Sequence, residues 1–141
     1  MGINVNSGLT TAHITGSVSV GASLPAGATQ VCEYNTVNNS TATVYTVTAG
    51  KTLYITNATI VVSTSASAAG VTTLLEADIL GTGSYKKLYF GNLAATTSSI
   101  NQNFAVSIDY AIPIQVPASK LVRITAGTGA TVNATISGYE M

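Results

Sequence analysis

The chain has few charged side chains for its size. Only 7% of its 141 residues are charged, five basic and five acidic, whereas 46% are hydrophobic. Soluble domains usually carry about 25% charged residues, so this chain lacks the usual means of keeping its whole surface in water. Disordered chains combine low hydrophobicity with high net charge, and this chain has the reverse. We therefore expect one folded domain, much of whose surface is covered by copies of itself or by a larger partner.

Other absences exclude further classes of protein. The five basic residues are scattered between Lys51 and Arg123 and cannot form the cationic stripe that neutralises nucleic-acid phosphates. No apolar run approaches the ~18 residues that span a bilayer. The first thirty residues contain no lysine, no arginine and no continuous apolar core, so we expect no secretory signal. The sequence therefore predicts neither nucleic acid nor a membrane as a partner.

The residues that usually carry catalysis are scarce. His13 is the only histidine, and a Ser-His-Asp or Cys-His arrangement would have to recruit it from the N-terminal region. Cys32 is the only cysteine, so an intrachain disulfide is impossible. Its alternation with Val31 and Glu33 predicts a small buried side chain at the start of a strand, with a nucleophile or an intersubunit disulfide as alternatives. We expect that the protein is not an enzyme.

Two carboxylates form the one pair with possible chemistry. Glu76 and Asp78 lie two residues apart in a predicted strand and so are expected to point to the same face. Such a pair can bind a cation or act in acid-base catalysis, but solvated carboxylates on an outer face explain it equally well. Asp109 is the other obvious acidic ligand, and no Asp-x-Asp-x-Asp loop is present. We predict no metal site and no cofactor.

Period-two alternation between turn signals is the recurrent pattern, and it predicts an all-β chain folded as a single antiparallel sandwich. Gly50 can supply a positive backbone angle in the turn at residues 48–51, although both a tight hairpin and a corner that changes sheets fit this spacing. Phe104, Val106 and Ile108 share one face of a long strand. Pro113 and Pro117 place the end of that strand at an edge or corner. The predicted strands are 44–47, 53–62, 71–80, 85–90, 100–114, 121–125 and 131–139.

Tyrosine is the favoured aromatic residue, with seven tyrosines against two phenylalanines and no tryptophan. A tyrosine ring can pack while its hydroxyl reaches solvent or a partner, which is why tyrosine is enriched at interfaces and in sugar-binding faces. Tyrosines that merely cap the edges of a sandwich would give the same count.

Residues 1–28 differ from the rest because they contain no charged side chain and many glycines. We interpret them as an extended N-terminal arm joined to a sandwich at residues 29–141, with a frayed tail as the alternative. Short alternations of isoleucine and valine suit strand addition to a neighbouring subunit, which relies on main-chain hydrogen bonds. The predicted interface residues of the arm are Ile3, Val5, Ile14, Val18 and Val20.

Three segments resemble a known family. They are VYTVTAGKTLYIT at residues 44–56, PIQVPA at 113–118 and NATISGYEM at 133–141. They resemble segments of the small jelly-roll capsid decoration (cement) and head-fibre proteins of tailed bacteriophages and related archaeal viruses. This resemblance implies a jelly roll, commonly a homotrimer, located in the virion, with no catalytic residues. The chain departs from the family at Thr48, where proline is frequent, and at Ser119, where glycine is usual.

We therefore expect a virion structural protein, a homotrimeric decoration protein that stabilises the shell through sandwich and arm contacts. Its partners would be its own copies and the major capsid protein or another virion protein. One alternative is a phage tail or fibre-tip module that binds host glycan through loops around residues 63–70 and 91–102. Another is a cellular surface-layer or adhesin subunit.

Overall fold

Eight antiparallel strands form two facing four-stranded sheets in the computed structural model, which describes residues 24–64, 70–93 and 103–141. The strand orders are β1-β8-β3-β6 and β2-β7-β4-β5, which is the jelly-roll arrangement, so the predicted fold class is confirmed. No helix suited to crossing a membrane occurs within those ranges. The strands are β1 (Thr29–Asn38), β2 (Thr41–Thr46), β3 (Leu53–Thr64), β4 (Val71–Ala77), β5 (Lys86–Leu93), β6 (Asn103–Val116), β7 (Leu121–Ala126) and β8 (Ala130–Glu140).

The core lies between the two sheets and follows directly from the period-two alternation. Along β8 every second residue is buried from Ala130 onward, and β3 and β7 show the same alternation over most of their length. Fully burying one leucine or isoleucine side chain contributes about 1.5–3 kcal/mol, so these inner strands hold the sandwich together. The largest fully buried side chains are Leu53, Ile55, Ile60, Leu75, Ile124 and Ile136.

The turn between β2 and β3 is a corner between sheets. The Lys51 amide donates to the Thr48 carbonyl over 3.1 Å, and Gly50 has the predicted positive φ of 78°. β2 pairs with β7 in one sheet, whereas β3 pairs with β6 and β8 in the other. The chain therefore crosses from one sheet to the other here, and the hairpin interpretation is wrong.

The three family-like segments meet at this end of the sandwich. The amide of Val47 donates to the carbonyl of Lys120 over 2.9 Å, and the amide of Ser119 donates to the carbonyl of Val47 over 3.0 Å. Thr52 and Met141 exchange backbone hydrogen bonds of 2.9 and 3.2 Å. Ser119 has a φ of 61°, the left-handed conformation that favours the glycine usual in the family. The segments that carry the resemblance thus build one structural corner.

Two irregularities disturb the sheet that contains β3. The register of β3 against β8 slips between Ile55 and Asn57. At the same level, residues 110–113 of β6 are left out of the pairing with β3. A Cβ on Gly138 would overlap the carbonyl oxygen of Tyr54 and lie 3.0 Å from the Cα of Ile55. Glycine at 138 is therefore required by the close approach of two backbones.

The edge position of β6 agrees with the prediction, whereas the end of β4 does not. β6, which contains Pro113, is an edge strand as predicted, and Phe104, Val106 and Ile108 are its half-buried, core-packing side chains. β4 ends at Ala77 instead of residue 80. It stops there because the following residues fold into a turn around the Asp78 carboxylate, as described below.

Candidate interaction surfaces

The outer face of the β1-β8-β3-β6 sheet is covered by hydroxyl and amide side chains, and we call it the hydroxyl face. Asp109, on the edge strand β6, is the one charged side chain on this face in the described part of the chain. The outward residues are Gln30, Cys32, Tyr34, Thr36 and Asn38 on β1; Thr131, Asn133, Thr135, Ser137 and Tyr139 on β8; Tyr54, Asn57, Thr59, Val61 and Ser63 on β3; and Asn103, Ala105, Ser107, Asp109 and Gln115 on β6.

Cross-strand hydrogen bonds tie the side chains of the hydroxyl face to one another. The Asn133 amide donates to the Thr36 hydroxyl over 2.9 Å, linking β8 to β1. The Asn57 amide donates to Asp109 over 2.7 Å and links β3 to β6. Because these side chains are already held in place, docking a partner on them loses little side-chain entropy.

A groove crosses one end of the hydroxyl face, at the level of the two strand irregularities. It has a volume of about 630 Å³, and its lining residues come from all four strands and from the segment just before β1. The lining contains no charged side chain. Tyr139 lies at the groove and stacks on Tyr54, with ring centroids 5.0 Å apart and planes within 11°. The lining residues are Leu24, Pro25, Gln30, Thr56, Pro113, Ser137, Gly138 and Tyr139.

The outer face of the β2-β7-β4-β5 sheet has different chemistry, and we call it the charged face. Arg123 on β7 donates to Glu76 on β4 over 3.1 Å, and its guanidinium lies 3.5 Å from the ring centroid of Tyr85. The ammonium of Lys87 lies 4.9 Å from the ring centroid of Phe90. These cations are thus engaged by groups of the same subunit.

Glu76 and Asp78 do not form the predicted pair on one face. Glu76 lies on the outer face of β4, opposite Arg123 of β7. β4 ends at Ala77, however, so Asp78 lies in the turn that follows and the period-two alternation on which that prediction depended does not extend to it. Both carboxylates are buried, so the alternative of solvated outer-face groups is also wrong. Glu76 pairs with Arg123, whereas Asp78 lies 3.6 Å from the ammonium of Lys120.

The Asp78 carboxylate organises the loop that follows β4. It accepts the Thr82 amide over 3.0 Å and the Gly83 amide over 2.8 Å. Burial by itself would raise the pKa of Asp78, but these two N–H groups and the Lys120 ammonium outweigh burial and lower that pKa below its ordinary value. Asp78 is therefore a charged structural anchor of this loop.

Glu140 likewise anchors a loop, the turn between β2 and β3. Its carboxylate accepts the Thr48 amide over 2.8 Å. Burial acts to raise the pKa of Glu140, but hydrogen bonds from Thr48 and Tyr45 and the charge of Lys51 lower it overall. The same burial raises the pKa of the Tyr45 hydroxyl. The acidic groups of the interior thus support the fold.

Cys32 is exposed, so the expected buried position is wrong. β1 buries Val31 and Val37, and period-two alternation therefore turns Cys32 outward onto the hydroxyl face. Its thiol accepts a long contact of 3.7 Å from the Ser137 hydroxyl. The described residues contain no group of three or more histidine, cysteine, aspartate and glutamate side chains able to hold a metal ion.

The tyrosines are divided between the surfaces and the interior. Tyr34 projects from the hydroxyl face and is 70% exposed, whereas the Tyr110 hydroxyl donates to the carbonyl of Leu88 over 3.4 Å and joins β6 to β5. Burial raises the pKa of Tyr110. His13 and the predicted interface residues Ile3, Val5, Ile14, Val18 and Val20 lie outside the described residues.

Comparisons with known proteins give similarity only at the level of fold. No family model matches the chain, and no curated protein sequence matches it. Two crystal structures of a pentameric capsid protein isolated from metagenomic phage sequences are similar to 77% of this chain, with TM-scores of 0.41 and 0.38 and identities of 16% and 15%. The matched regions cover 58% and 60% of those chains. The structure of Eiger TNF from S. frugiperda matches 80% of this chain and 89% of its own, with a TM-score of 0.46 and 9% identity.

Proposed function

We propose that this protein is a structural subunit of a virus particle, a homotrimeric decoration protein whose hydroxyl face packs against a second copy of the subunit in the trimer. The observation that carries this proposal is the hydroxyl face itself, with the single carboxylate of Asp109 at its edge. The virion setting comes from the resemblance of residues 44–56, 113–118 and 133–141 to phage decoration proteins.

The size of the hydroxyl face suits a protein interface. Four strands about 4.8 Å apart and an 11-residue strand at about 3.3 Å per residue give a surface of roughly 700 Å². A stable interface buries about 800 Å² on each partner. The hydroxyl face can therefore supply most of one such interface, and an arm would add to it.

The chemistry of the hydroxyl face also favours contact with protein. Interface cores are depleted of charged residues because a charge is costly to remove from water. On this face the polar groups of Asn57, Thr59 and Asn133 already have partners within the subunit. Burying them leaves few groups unsatisfied, so a partner can cover the face without a large desolvation penalty.

A pair of lysine substitutions tests the proposal. Thr135→Lys places a charge at the centre of the hydroxyl face, whereas Thr46→Lys places the same charge on the outer side of β2. Sedimentation should show a stable trimer for the wild type and for Thr46→Lys, and weakened association by at least about tenfold for Thr135→Lys. A wild-type protein that stays monomeric at micromolar concentration would overturn the proposal, as would equal effects of the two substitutions.

A glycan-binding module is the second candidate, and the exposure of Tyr34 beside threonine and asparagine side chains favours it. An aromatic ring next to hydroxyl and amide groups is suited to a sugar, since the ring packs and the polar groups hydrogen-bond. A glycan array separates the candidates because a decoration protein should bind no sugar, whereas a receptor-binding module should select one class of glycan. Loss of that binding in Tyr34→Ala would assign it to this face.

A further inference from the structure

β1 lies at one edge of its sheet, and its outer side is open. It pairs with β8 over its whole length without a register shift, and no strand within the described residues pairs with its other side. The Asn39 amide, just after β1, donates to the carbonyl of Ala130 on β8 over 3.1 Å. Because the backbone groups of a strand alternate in direction, the even-numbered residues of β1 direct their N–H and C=O groups to the open edge.

Asn35 closes the far end of this open edge. Its side-chain carbonyl accepts the Thr36 amide over 2.7 Å, and its side-chain amide donates to the carbonyl of Thr43 on β2 over 2.8 Å. The Thr36 amide is thus already bonded within the subunit. The exposed residues that still offer backbone groups to a partner at this edge are Gln30, Cys32 and Tyr34.

The other edge strands of the two sheets are each protected against pairing. β5 begins with Lys86 and Lys87, and lysines on an edge discourage strand addition. β6 contains Pro113 and leaves residues 110–113 out of its pairing with β3. β2 has only six residues, and a register shift interrupts its pairing with β7. β1 has ten residues with no proline, lysine or arginine, so it is the edge that best suits another strand.

We propose that β1 pairs with β1 of a second copy in an antiparallel ladder centred on Cys32, so that one sheet continues through two subunits. In this register Gln30 of each copy lies opposite Tyr34 of the other, and the two Cys32 residues lie opposite each other. Each hydrogen-bonded pair exchanges two backbone bonds, so the three pairs give about six. The ladder therefore uses the backbone groups that both open edges offer.

Neighbouring registers lose hydrogen bonds or bring like charges together. A ladder centred on Glu33 would place two carboxylates opposite each other, which destabilises a strand pair. A ladder centred on Tyr34 would need the Thr36 amide, and a ladder centred on Val31 would need the Ala28 amide. Both amides already donate to acceptors of their own subunit. The register centred on Cys32 avoids all three losses.

Charge also favours a second copy as the partner of β1. In an antiparallel pair, residues two positions from direct opposition are within reach of long side chains. The exposed Glu33 of one copy takes that diagonal position to Thr29 of the other, where the Lys51 ammonium lies 3.3 Å from the Thr29 hydroxyl. The twofold symmetry of the contact repeats this attraction between Glu33 and Lys51, and a strand of unrelated sequence does not supply it.

Disulfide formation at single cysteines tests the ladder and its register. Opposed residues of a hydrogen-bonded pair lie about 5.5 Å apart at Cα, a distance that a disulfide can bridge. With copper phenanthroline as oxidant, the wild-type Cys32 should give a product of two-chain mass on a non-reducing denaturing gel. The matched controls are Cys32→Ser/Gln30→Cys and Cys32→Ser/Tyr34→Cys, in which the ladder separates equivalent thiols by about 13 Å along the strand. Each control should give at least about tenfold less product. The triple variant Cys32→Ser/Gln30→Cys/Tyr34→Cys should restore the product, because these two positions face each other in the ladder.

Other yields would overturn the proposal. Equal product from the three single-cysteine proteins would mean random collision, and a dominant product from either control would refute the register. Tyr34→Pro removes an N–H group that faces the open edge and not β8, so it should lower the Cys32 product by at least about tenfold. The urea unfolding midpoint should stay near the wild-type value, and Gln30→Pro replaces this variant if the midpoint falls. An unchanged yield would show that the thiols meet without a ladder.

The edge contact does not rest on the proposed trimer, because a twofold contact differs from the threefold contact of the hydroxyl face and would join neighbouring trimers. The Cys32 product should therefore persist in the Thr135→Lys variant. Its loss there would assign the product to the hydroxyl face and overturn the edge pairing. A Cys32 product from a protein that sediments without forming a trimer would support the edge pairing and refute only the proposed function.

Discussion

The two outer faces of the sandwich place charge in opposite ways. On the charged face, Arg123 bonds to Glu76 and stacks on Tyr85, and Lys87 lies over Phe90. On the hydroxyl face, neutral groups such as Asn133 and Thr36 bond across the strands, and Asp109 at one edge is the one charged side chain among the described residues of that face. Among the described residues, the hydroxyl face is therefore the face that is short of charged side chains. It is also the face that we propose to be covered in the assembly.

The largest expected effect comes from the backbone approach that shapes the hydroxyl face. Gly138→Ala places a methyl group against the carbonyl of Tyr54, and we expect a loss of stability of about 3 kcal/mol or more, since neither backbone can move freely. Urea unfolding followed by tyrosine fluorescence measures it. Ser137→Ala on the neighbouring residue is the control and should change stability by less than about 1 kcal/mol. Similar midpoints for the two variants would show that the strand irregularity does not need glycine.

The ion pair on the charged face is expected to be next in size. Arg123→Met leaves Glu76 without its cation and removes the stacking on Tyr85, so we expect a loss of about 2 kcal/mol. The double variant Glu76→Met/Arg123→Met should recover most of that loss, because it also removes the unpaired carboxylate. Unfolding free energies of the two single variants and the double variant test this. Additive losses would mean that the two groups act independently.

Acid should weaken the fold through the buried carboxylates. Asp78 and Glu140 have pKa values below the ordinary 3.8 and 4.5, so they stabilise the folded state above those values. That stabilisation is lost as the pH falls through the lower pKa values of the folded state, so the urea midpoint should decrease below about pH 4. Asp78→Asn should be less stable at pH 7 and should show a shallower decrease in acid. Parallel pH curves for the wild type and the variant would contradict this role.

The smallest effect concerns two residues with left-handed backbone. Ser119 has a φ of 61° and Asn39 a φ of 52°, but the Asn39 side chain accepts the Gly129 amide. Ser119→Gly should therefore add about 1 kcal/mol of stability, whereas Asn39→Gly should subtract a similar amount because it loses the hydrogen bond. Thermal unfolding measures both changes. A gain in stability for both variants would mean that backbone strain alone determines the effect of glycine at these two positions.

Much of the sandwich could be predicted from residue alternation, whereas the surfaces could not. The predicted ranges match β2 to β8, whereas β1 was indicated only by a strand start near Cys32. Phe104, Val106 and Ile108 face the core as expected. Alternation predicts side-chain direction only within a strand, and because β4 ends at Ala77 the predicted pairing of Asp78 with Glu76 on one face was wrong. For Cys32 the signal was present, because the spacing of Val31 and Val37 already turns residue 32 outward.

Two features depend on contacts between residues far apart in sequence. One is whether the turn between β2 and β3 is a hairpin or a corner, and the other is the groove. The same Thr48-to-Lys51 turn fits either connection, and only the pairing of β2 with β7 decides between them. The groove arises because β3 and β6 slip at one level and Gly138 admits the backbone of Tyr54. The hydroxyl face likewise becomes visible only once four strands distant in sequence lie side by side.

The position of β8 in its sheet has a consequence for synthesis of the protein. β8 lies between β1 and β3 and pairs with both, although it comes last in chain order among the described strands. β1 and β3 must therefore wait, with unpaired edges, until β8 has left the ribosome, and such edges invite pairing with other nascent chains. The β1-β8-β3-β6 sheet cannot be completed before β8 has been made, so crowding of nascent chains should lower the yield of the protein more than substitutions on its hydroxyl face.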